Sequence, residues 1–548
     1  MKMNLKIASL FVVSTLLAAC NVDTLPEGGT VTDQQKQEVI EMMPERIAAD
    51  VANLASTMFS QFSVGGTNYY WIDFGYPSVC IAYDYNGPDM VCVDNNYNWY
   101  NPACSYTDRD PNYIVPYIEW TFYYNYLKAA NDILSAIAPD TENQTLKYYR
   151  GQALGARAFT LFGLVQRFQF TYKGHEDEPS IPMVLDDMTA EQAGNNPRAS
   201  VSAVYARIIE DLNNAIALLE GFNRPNASTI DQRVAYGLRA RVYLVMNEWQ
   251  QAAADAAKAM SGYTPYTRDE VSKPSFQSVS HAWIWGCEID ENDLVAGGER
   301  ATWQSWLCSL NGGLFTTKLG TYARCNVEFY QKIPATDVRK GWWVDENLKS
   351  PLIDNLRWQG YPNTPIGSLE ISQVKQKFEP YTNVKFGPTD DVIGTTKSAG
   401  DWPLMRAEEM LLIQAEATGM SGDLNGGKQL LESFVKTYRD PSYTCKASTP
   451  QEFQNAVWLQ RRIELWGEGF APMDLMRLKK PLVRFHSGRT SNFPDLFKFN
   501  IPAEDPSFLC TIPNGEINAN EGISPDQNNI STVPKPGQGA GLLDGITD

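Results

Sequence analysis

Apolar residues recur every three to four positions along three stretches of the chain, and this spacing predicts amphipathic α-helices. The segment Asn143–Tyr172 is one example, with Leu154, Leu161 and Phe168 on one face. The same periodicity predicts helices at Gln34–Gln61, Tyr117–Ala138, Ser202–Leu219, Asp231–Met246, Gln250–Met260, Pro403–Thr418, Gly426–Tyr438 and Gln451–Glu468. The predicted fold class is therefore mainly α.

Two helix pairs have the residue spacing of tetratricopeptide units. In the segment Tyr236–Met260, small residues such as Ala252 and Ala256 allow the second helix to approach the first closely. The pair Pro403–Tyr438 repeats the pattern less well. Such units bury their faces only when neighbours stack on them, so a tetratricopeptide-like helical-repeat scaffold is predicted.

Two other segments, residues 63–116 and 275–400, show little helical periodicity. The first is rich in Tyr, Asn, Asp, Gly and Pro, and the second contains short strand patterns such as Ala282–Glu288. Loops of this length inside a folded chain are usually functional. Both segments are therefore predicted to be irregular, loop-rich insertions that carry the binding regions.

The first nineteen residues have the pattern of an export signal. Lys2 and Lys6 precede a short apolar run, Ile7–Leu17, and the small residues Ala18 and Ala19 lead to Cys20. The run is too short to remain as a membrane span. The pattern is that of a lipoprotein signal, in which Cys20 becomes the acylated first residue, and several acyl chains suffice for stable membrane anchoring.

These patterns predict one large domain between two terminal segments. The signal occupies residues 1–19, and a polar tether with Pro and Gly follows at 20–33. A single domain is predicted at 34–528, with its helical scaffold at 34–62, 117–260 and 402–480. Residues 529–548 are rich in Gly, Pro and small polar residues, and this composition predicts a disordered tail.

The formal net charge is −18, and removal of Lys2 and Lys6 with the signal makes the mature chain more acidic still. Such a chain is repelled by phosphate backbones, so nucleic acid is not a predicted partner. Eight cysteines remain besides Cys20. Their even number permits disulfides without fixing a pairing, and a few local bridges together with some buried thiols are expected.

Motifs for catalysis are missing from the sequence or fail on inspection. Gly422–Lys428 matches the start of a phosphate-binding loop, but Gln429 stands where Ser or Thr would hold magnesium. The sequence has no G-x-S-x-G, no H-E-x-x-H and no C-x-x-C motif. No enzyme, metal site or cofactor is predicted, and a structural calcium is compatible with the composition without being indicated by any motif.

Two groups of aromatic residues are candidates for binding a sugar. Aromatic rings pack against the apolar faces of sugars, while Asn, Asp or Arg must meet the hydroxyls. The first group lies in Asp94–Asn101, where Trp99 is the predicted platform beside Tyr100, and Asn101 and Asp94 are predicted hydroxyl partners. The second group contains two tryptophans that alternate on a predicted strand and two in the loop after it: Trp283, Trp285, Trp303 and Trp306.

Five motifs occur in order along the chain: Arg157-Ala158-Phe159 with Leu164-Val165-Gln166-Arg167-Phe168, Pro179–Val184, Asp401–Arg406 with Ala407-Glu408-Glu409, Arg461–Gly469 with Asp474 and Arg477, and Ile501-Pro502 with Gln527-Asn528. In this order they resemble the motifs of the SusD/RagB family over nearly the whole chain. Ala471 and Gln460 depart from that pattern, where the family usually has arginine and glutamate.

The resemblance implies a surface-exposed, lipid-anchored protein of the outer membrane that captures glycan oligomers or polysaccharide and passes them to a SusC-like TonB-dependent transporter. The segment Asp94–Asn101 resembles a loop that lines the ligand site in several family members. Two alternatives stay open: the same scaffold capturing peptides or glycopeptides, and a glycoside hydrolase, which needs only two placed carboxylates.

The charged residues of the motifs are expected to form ion pairs within and between helices rather than a reactive centre. They are Arg406, Glu408, Glu416, Arg461, Arg462, Glu464 and Glu468. Binding chemistry is expected in the two loop-rich segments instead.

Overall fold

The structure is a computed structural model that describes residues 32–64, 70–293, 295–296, 300–360, 368–371, 374–530 and 532–548. The predicted signal, Cys20 and almost all of the tether lie outside the described residues. Within those residues, no helix combines the length and the apolar character needed to cross a membrane.

Helices dominate the described chain. The α-helices are α1 (Asp33–Met42), α2 (Ala48–Thr57), α3 (Tyr76–Asn86), α4 (Asn101–Ser105), α5 (Ile114–Ala136), α6 (Gln144–Phe168), α7 (Ala190–Ala193), α8 (Val201–Leu218), α9 (Gln232–Met246), α10 (Trp249–Ala259), α11 (Trp303–Leu307), α12 (Val327–Lys332), α13 (Ala407–Met420), α14 (Leu424–Tyr438), α15 (Pro450–Glu464), α16 (Ala471–Arg477) and α17 (Asn514–Ala519). A π-helical turn spans Leu314–Lys318. Together with the paucity of strands, these helices confirm the predicted mainly α class.

Six short strands form three antiparallel pairs in the described residues. They are β1 (Met90–Val91) with β5 (Arg324–Cys325), β2 (Pro179–Pro182) with β3 (Arg198–Ser200), and β4 (Trp283–Cys287) with β6 (Trp402–Arg406). Strand β4 confirms the predicted Ala282–Glu288 strand. Strand β6 corrects the helix predicted from Pro403, because residues 403–406 pair with β4 and the helix begins only at Ala407.

The scaffold helices pack on their neighbours in chain order. Helix α6 lies against α5 and α8, α10 lies against α9 and α13, and α13 lies against α14 and α15. The predicted helix pairs are therefore present, and Ala252 and Ala256 are fully buried at the contact between α9 and α10. Their likeness to tetratricopeptide units in particular stays a prediction.

Two differences in the N-terminal half have simple causes. The single helix predicted at Gln34–Gln61 is broken at Met43, because Pro44 cannot continue it and starts a 3-10 turn instead. Helix α3 was not predicted within 63–116, because every residue from Pro77 to Asn86 is buried. A helix buried on all sides has no amphipathic period for the sequence to display.

A network of buried charges joins the motif residues, as predicted. Glu464 accepts hydrogen bonds from Arg439 at 2.8 Å, from Arg406 at 3.3 Å and from Arg339 at 3.2 Å. Burial alone would raise the pKa of Glu464, but the three arginines together lower it below its ordinary value. Arg406 also donates to Glu468 at 2.8 Å. The network connects β6 to the end of α15 and is structural.

The described residues of the tail, 529–530 and 532–548, pack on the rest of the chain, which corrects the prediction of disorder there. The buried carboxylate of Asp544 accepts a hydrogen bond from Arg462 at 2.9 Å, and Arg462 also donates to Asp89 at 2.7 Å. Further along, the hydroxyl of Thr547 and Nε2 of His486 share a hydrogen bond of 2.9 Å. Composition alone indicated disorder because it carries no information about these distant partners.

The eight cysteines between Cys80 and Cys510 are all described, buried and unbridged. The local disulfides expected from their even number are therefore not formed in this structure. Burial raises the pKa of most of these thiols, Cys80 and Cys325 among them.

Candidate ligand-binding surface

Asparagine side chains shape the segment Asp94–Asn101. The side-chain oxygen of Asn95 accepts from the backbone N–H of Tyr97 at 2.9 Å, and that of Asn98 accepts from the N–H of Tyr100 at 3.1 Å. Turns of this kind are typical of asparagine, because its side chain mimics a backbone carbonyl. They place Tyr97 at the surface and Tyr100 in the interior.

Trp99 keeps part of its ring accessible, as a binding platform requires. Its side chain is only partly buried, and the edge of the ring meets Tyr70 with 6.5 Å between centroids and 67° between planes. Tyr97, two residues earlier, is 56% exposed. Asp94 is exposed beside them. Trp99 and Asp94 are thus the predicted site residues whose side chains solvent can reach without rearrangement.

Tyr70 and Trp71 are part of the same surface and were not singled out from the sequence. Both are partly buried, and the guanidinium of Arg300 lies 4.8 Å from the centre of the Trp71 ring. The run of aromatic residues at 69–71 inside a segment without helical periodicity could have indicated them. We call Tyr70, Trp71, Tyr97 and Trp99 the aromatic surface.

Trp306 and Tyr100 lie beneath the aromatic surface and are buried, which corrects the prediction that they contact a ligand. The Trp306 ring stacks on Phe315 with 3.7 Å between centroids, and the Tyr100 ring meets Trp306 edge-on at 5.1 Å. The indole N–H of Trp306 donates to the backbone carbonyl of Trp71 at 3.0 Å. Both residues support the surface instead of contacting a ligand.

The other three predicted tryptophans are also buried, so they lack the exposed ring faces that a platform needs. The N–H of Trp303 donates to the carbonyl of Gly400 at 2.7 Å, and that of Trp285 donates to the carbonyl of Ser228 at 3.0 Å. Trp283 lies on β4 opposite Arg406. These three rings are large and apolar, and packing them into the interior removes their surface from water.

Asn101 has a structural role in place of the predicted contact with a ligand hydroxyl. Its amide nitrogen donates to the carbonyl of Asn95 at 3.0 Å, and its oxygen accepts from the thiol of Cys92 at 3.0 Å. Both polar ends are therefore used within the loop. Asp94 and Asn96 are the exposed polar side chains of this segment.

The segment rests on the chain that follows the π-helical turn. The amide nitrogen of Asn95 donates to the carbonyls of Leu319 and Gly320, both at 3.3 Å. Gly320 has φ +73°, a conformation that residues with a side chain rarely adopt. π-helical turns occur often at functional sites, and this one carries Phe315 of the supporting layer.

Asp73 holds in place the chain that leads into and out of Tyr70 and Trp71 of the aromatic surface. Its carboxylate accepts from the hydroxyl of Ser63 at 2.8 Å and from the N–H of Val64 at 2.9 Å. Its own N–H donates to the carbonyl of Tyr70 at 2.9 Å. Burial raises the pKa of Asp73, and these hydrogen bonds oppose the increase.

The chemistry available at this surface is reversible binding. Partly exposed rings can cover apolar C–H faces, and Asp94, Asn96 and Arg300 can exchange hydrogen bonds with hydroxyls. Within the described ranges, His, Cys, Asp and Glu side chains form no group of three or more that could hold a metal ion.

Two family models match the sequence. A SusD-like model, described as starch-binding and associating with the outer membrane, matches residues 82–244. A model of the SusD family matches residues 355–530. No curated protein matches the sequence significantly.

Several solved structures share the fold. A SusD-like carbohydrate binding protein from Bacteroides vulgatus has a TM-score of 0.69 and 23% identity, over 89% of this chain and 98% of that chain. A SusD superfamily protein from Bacteroides thetaiotaomicron has a TM-score of 0.67 and 20% identity, over 89% and 99%. A laminarin binding SusD-like protein has a TM-score of 0.59 and 17% identity, over 90% and 99%.

The two matched ranges together span more than half of the chain and contain all five sequence motifs in order, so the chain belongs to the SusD family.

Proposed function

We propose that this protein is a surface-exposed outer-membrane lipoprotein that binds glycan oligomers or polysaccharide and delivers them to a SusC-like TonB-dependent transporter. The observation that carries the proposal is the aromatic surface, where Trp99 and Tyr70 lie side by side with their rings partly accessible. Two of the similar structures are of proteins named for carbohydrate and for laminarin binding, which supports a glycan ligand.

Capture does not need a reaction at the site. The aromatic surface has uncharged rings at its centre and the charged side chains of Asp94 and Arg300 at its edge. A glycan would lie across the rings and meet polar groups at its hydroxyls, with both kinds of contact formed and broken reversibly. In this proposal the protein is a receptor and not an enzyme.

The test is calorimetric titration of the purified domain with oligosaccharides, including laminarin and starch fragments, and with peptide pools. Trp99→Ala and Trp71→Ala should each weaken glycan binding about tenfold, since one stacked ring is worth on the order of 1–1.5 kcal/mol. Tyr113→Ala is the matched control, because it removes a 40% exposed aromatic residue that lies outside the aromatic surface.

Three results would contradict the proposal. Binding of peptides with no binding of glycans would favour the alternative ligand class. Unchanged affinity in both tryptophan variants would place the ligand elsewhere. Shortened oligosaccharides after overnight incubation with the protein would indicate a glycoside hydrolase.

The anchor and the partner are tested in cells. Cys20→Ser should release the protein from the outer-membrane fraction, because the thiol that would carry the lipid is gone. A tagged wild-type protein should co-purify with a SusC-like transporter from detergent-solubilised outer membranes. Retention of Cys20→Ser in the membrane, or purification without a transporter, would argue against these parts of the proposal.

A further inference from the structure

A cavity lies in the helical scaffold, and it shares no residue with the aromatic surface. It has a volume of about 320 Å³, opens to solvent on one side, and is lined by α2, α5, α6 and the loop that follows α8. Ala48, Val51 and Leu54 of α2 form its apolar wall. This volume is at the lower end of the range for small-molecule sites, which is about 300–1,000 Å³.

Two buried polar groups at this cavity have unused hydrogen-bonding capacity. The Tyr126 side chain is 1% exposed, and its hydroxyl makes no hydrogen bond to any residue that the structure describes. The Gln152 side chain is 6% exposed; its amide nitrogen donates to the carbonyl of Tyr148 at 3.3 Å, while its oxygen has no donor in the described chain. Neither atom is among the fully enclosed polar atoms of the described chain that lack a partner, so both reach the open side of the cavity, where a ligand or water can form the missing hydrogen bond.

Aromatic rings and further polar groups complete the lining. Tyr149 and Phe222 are partly buried at the cavity, and Phe222 is held against Tyr148 with 4.9 Å between ring centroids. Asn226 uses its side-chain oxygen to accept from the N–H and the hydroxyl of Thr229, at 3.1 and 2.8 Å. These two hydrogen bonds fix the orientation of the Asn226 side chain, and the N–H groups of its amide remain available to a ligand.

The lining also restricts the charge of a ligand. Among the described residues that enclose the cavity, none has a charged side chain, although 20% of the chain is Asp, Glu, Lys or Arg. An ion entering this cavity would lose hydration without meeting an opposite charge, which is strongly unfavourable. The cavity therefore selects a neutral ligand that has both an apolar face and hydroxyl groups.

We propose that this cavity is a second binding site, which takes one or two rings of a neutral sugar, with Tyr126 and Gln152 as its central hydrogen-bonding groups. The neutrality of the ligand follows from the lining alone, whereas the choice of a sugar among neutral ligands rests on the proposed function. Tyr149 and Phe222 would cover the apolar face of the ring, and Asn226 would donate to a hydroxyl at the mouth.

The experiment is titration of the purified domain with neutral methyl glycosides of glucose, mannose and galactose, and with glucuronic acid and glucosamine as charged counterparts. At least one neutral glycoside should bind, and both charged sugars should bind at least tenfold more weakly. Tyr126→Phe removes only the hydroxyl and keeps the ring contacts with Phe122 and Phe159. It should weaken binding about fivefold to tenfold.

Two further variants separate this site from the aromatic surface. Ala55→Phe adds a ring into the cavity from α2 and should abolish binding of the methyl glycoside. Tyr126→Phe should cause the same fold loss of affinity in a Trp99→Ala background as in the wild type, and Tyr113→Phe, at an exposed position, is the control for loss of a tyrosine hydroxyl.

The inference is overturned if no neutral glycoside binds, if charged and neutral sugars bind equally, or if Tyr126→Phe and Ala55→Phe have no effect. If long oligosaccharides then still bind in a manner sensitive to Trp99→Ala, the proposed function stands while this second site is excluded. If instead only the Tyr126-dependent binding is found, the aromatic surface is excluded and this site remains.

Discussion

The indole nitrogen of Trp306 donates a hydrogen bond to the backbone carbonyl of Trp71, with 3.0 Å between the two atoms. Trp306 is 1% exposed, whereas Trp71 is partly accessible at the aromatic surface. A buried tryptophan from the second loop-rich segment thus fixes the backbone beneath an accessible tryptophan from the first. The relationship explains how two distant segments can build one candidate binding surface.

Trp306→Phe should weaken glycan binding about threefold to tenfold, although residue 306 would not touch the ligand. The substitution keeps an aromatic ring on Phe315 but removes the hydrogen bond to Trp71. The free energy of unfolding should fall by about 1–3 kcal/mol from the lost hydrogen bond and the smaller ring. Calorimetric titration and urea unfolding measure the two effects.

Trp303→Phe is the matched control for that variant. It removes a comparable hydrogen bond, from the Trp303 indole to Gly400 at 2.7 Å, in an equally buried position. It should lower stability by a similar amount and leave glycan affinity unchanged. Equal losses of affinity in the two variants would show that general destabilisation, and not the link to Trp71, is responsible.

Asp84 should make the stability of the fold depend on pH near neutrality. Burial raises its pKa from 3.8 to about 7; the backbone N–H of Gly469, 3.0 Å away, and the charge of Lys385 lower the pKa, while Glu468 raises it. Between about pH 4 and 7 the folded state therefore holds a proton that the unfolded state has lost. The free energy of unfolding contributed by this group falls as pH rises through that window.

Asp84→Asn should remove this dependence, because an amide can accept the same hydrogen bond without ionising. The gain in stability of the variant over the wild type should be small at pH 4 and should grow to a few kcal/mol at pH 8, at about 1.4 kcal/mol per unit of pKa shift. Urea unfolding at both pH values measures it. A constant difference between the two proteins at all pH values would contradict the prediction.

Asp544→Asn should destabilise the fold by about 1.5–3 kcal/mol, because it removes a charge-assisted hydrogen bond from buried Arg462, which keeps Asp89 as its other carboxylate partner. Burial raises the pKa of Asp544, but Arg462 and nearby backbone N–H groups lower it below its ordinary value. The Asp544 carboxylate is therefore charged in the folded protein at neutral pH. Limited proteolysis should then cut the tail early. Glu521→Gln, at an exposed position, should change neither property.

The native protein should resist thiol reagents. All eight cysteines of the described domain are buried and unbridged, so a thiol-specific dye should label few of them before unfolding and all eight in guanidinium chloride. Fewer than eight reactive thiols in the denatured, unreduced protein would show that some of them form disulfides after all.

The helical scaffold was predictable because its signal is local. Helix α8 was predicted at Ser202–Leu219 and is found at Val201–Leu218, since an apolar stripe of period 3.6 needs no knowledge of distant residues. The same reasoning fails for α3, which is buried all round, and for residues 403–406, which form a strand because β4 is available to pair with them.

The candidate binding surface was predictable only in part, because exposure is a property of the folded chain. Trp99 and Trp303 are both tryptophans of loop-rich segments, and nothing local distinguishes them. In the structure Trp99 meets solvent beside Tyr70, while Trp303 is enclosed by Phe386 and Trp402. Asn101 illustrates the same limit. It was predicted to contact a ligand hydroxyl, but its side chain forms its hydrogen bonds within its own loop.

The ion pairs of Arg462 have a consequence for the order of events during biosynthesis. Asp89 immediately precedes β1, from which the chain enters the segment of Trp99, and it shares Arg462 with Asp544. A ribosome adds residue 544 some 450 positions after residue 89. The growing polypeptide therefore cannot complete this ion-pair cluster beneath the Trp99 segment until residue 544 has been made, and a product that stopped before residue 544 would leave Arg462 with Asp89 as its remaining carboxylate partner.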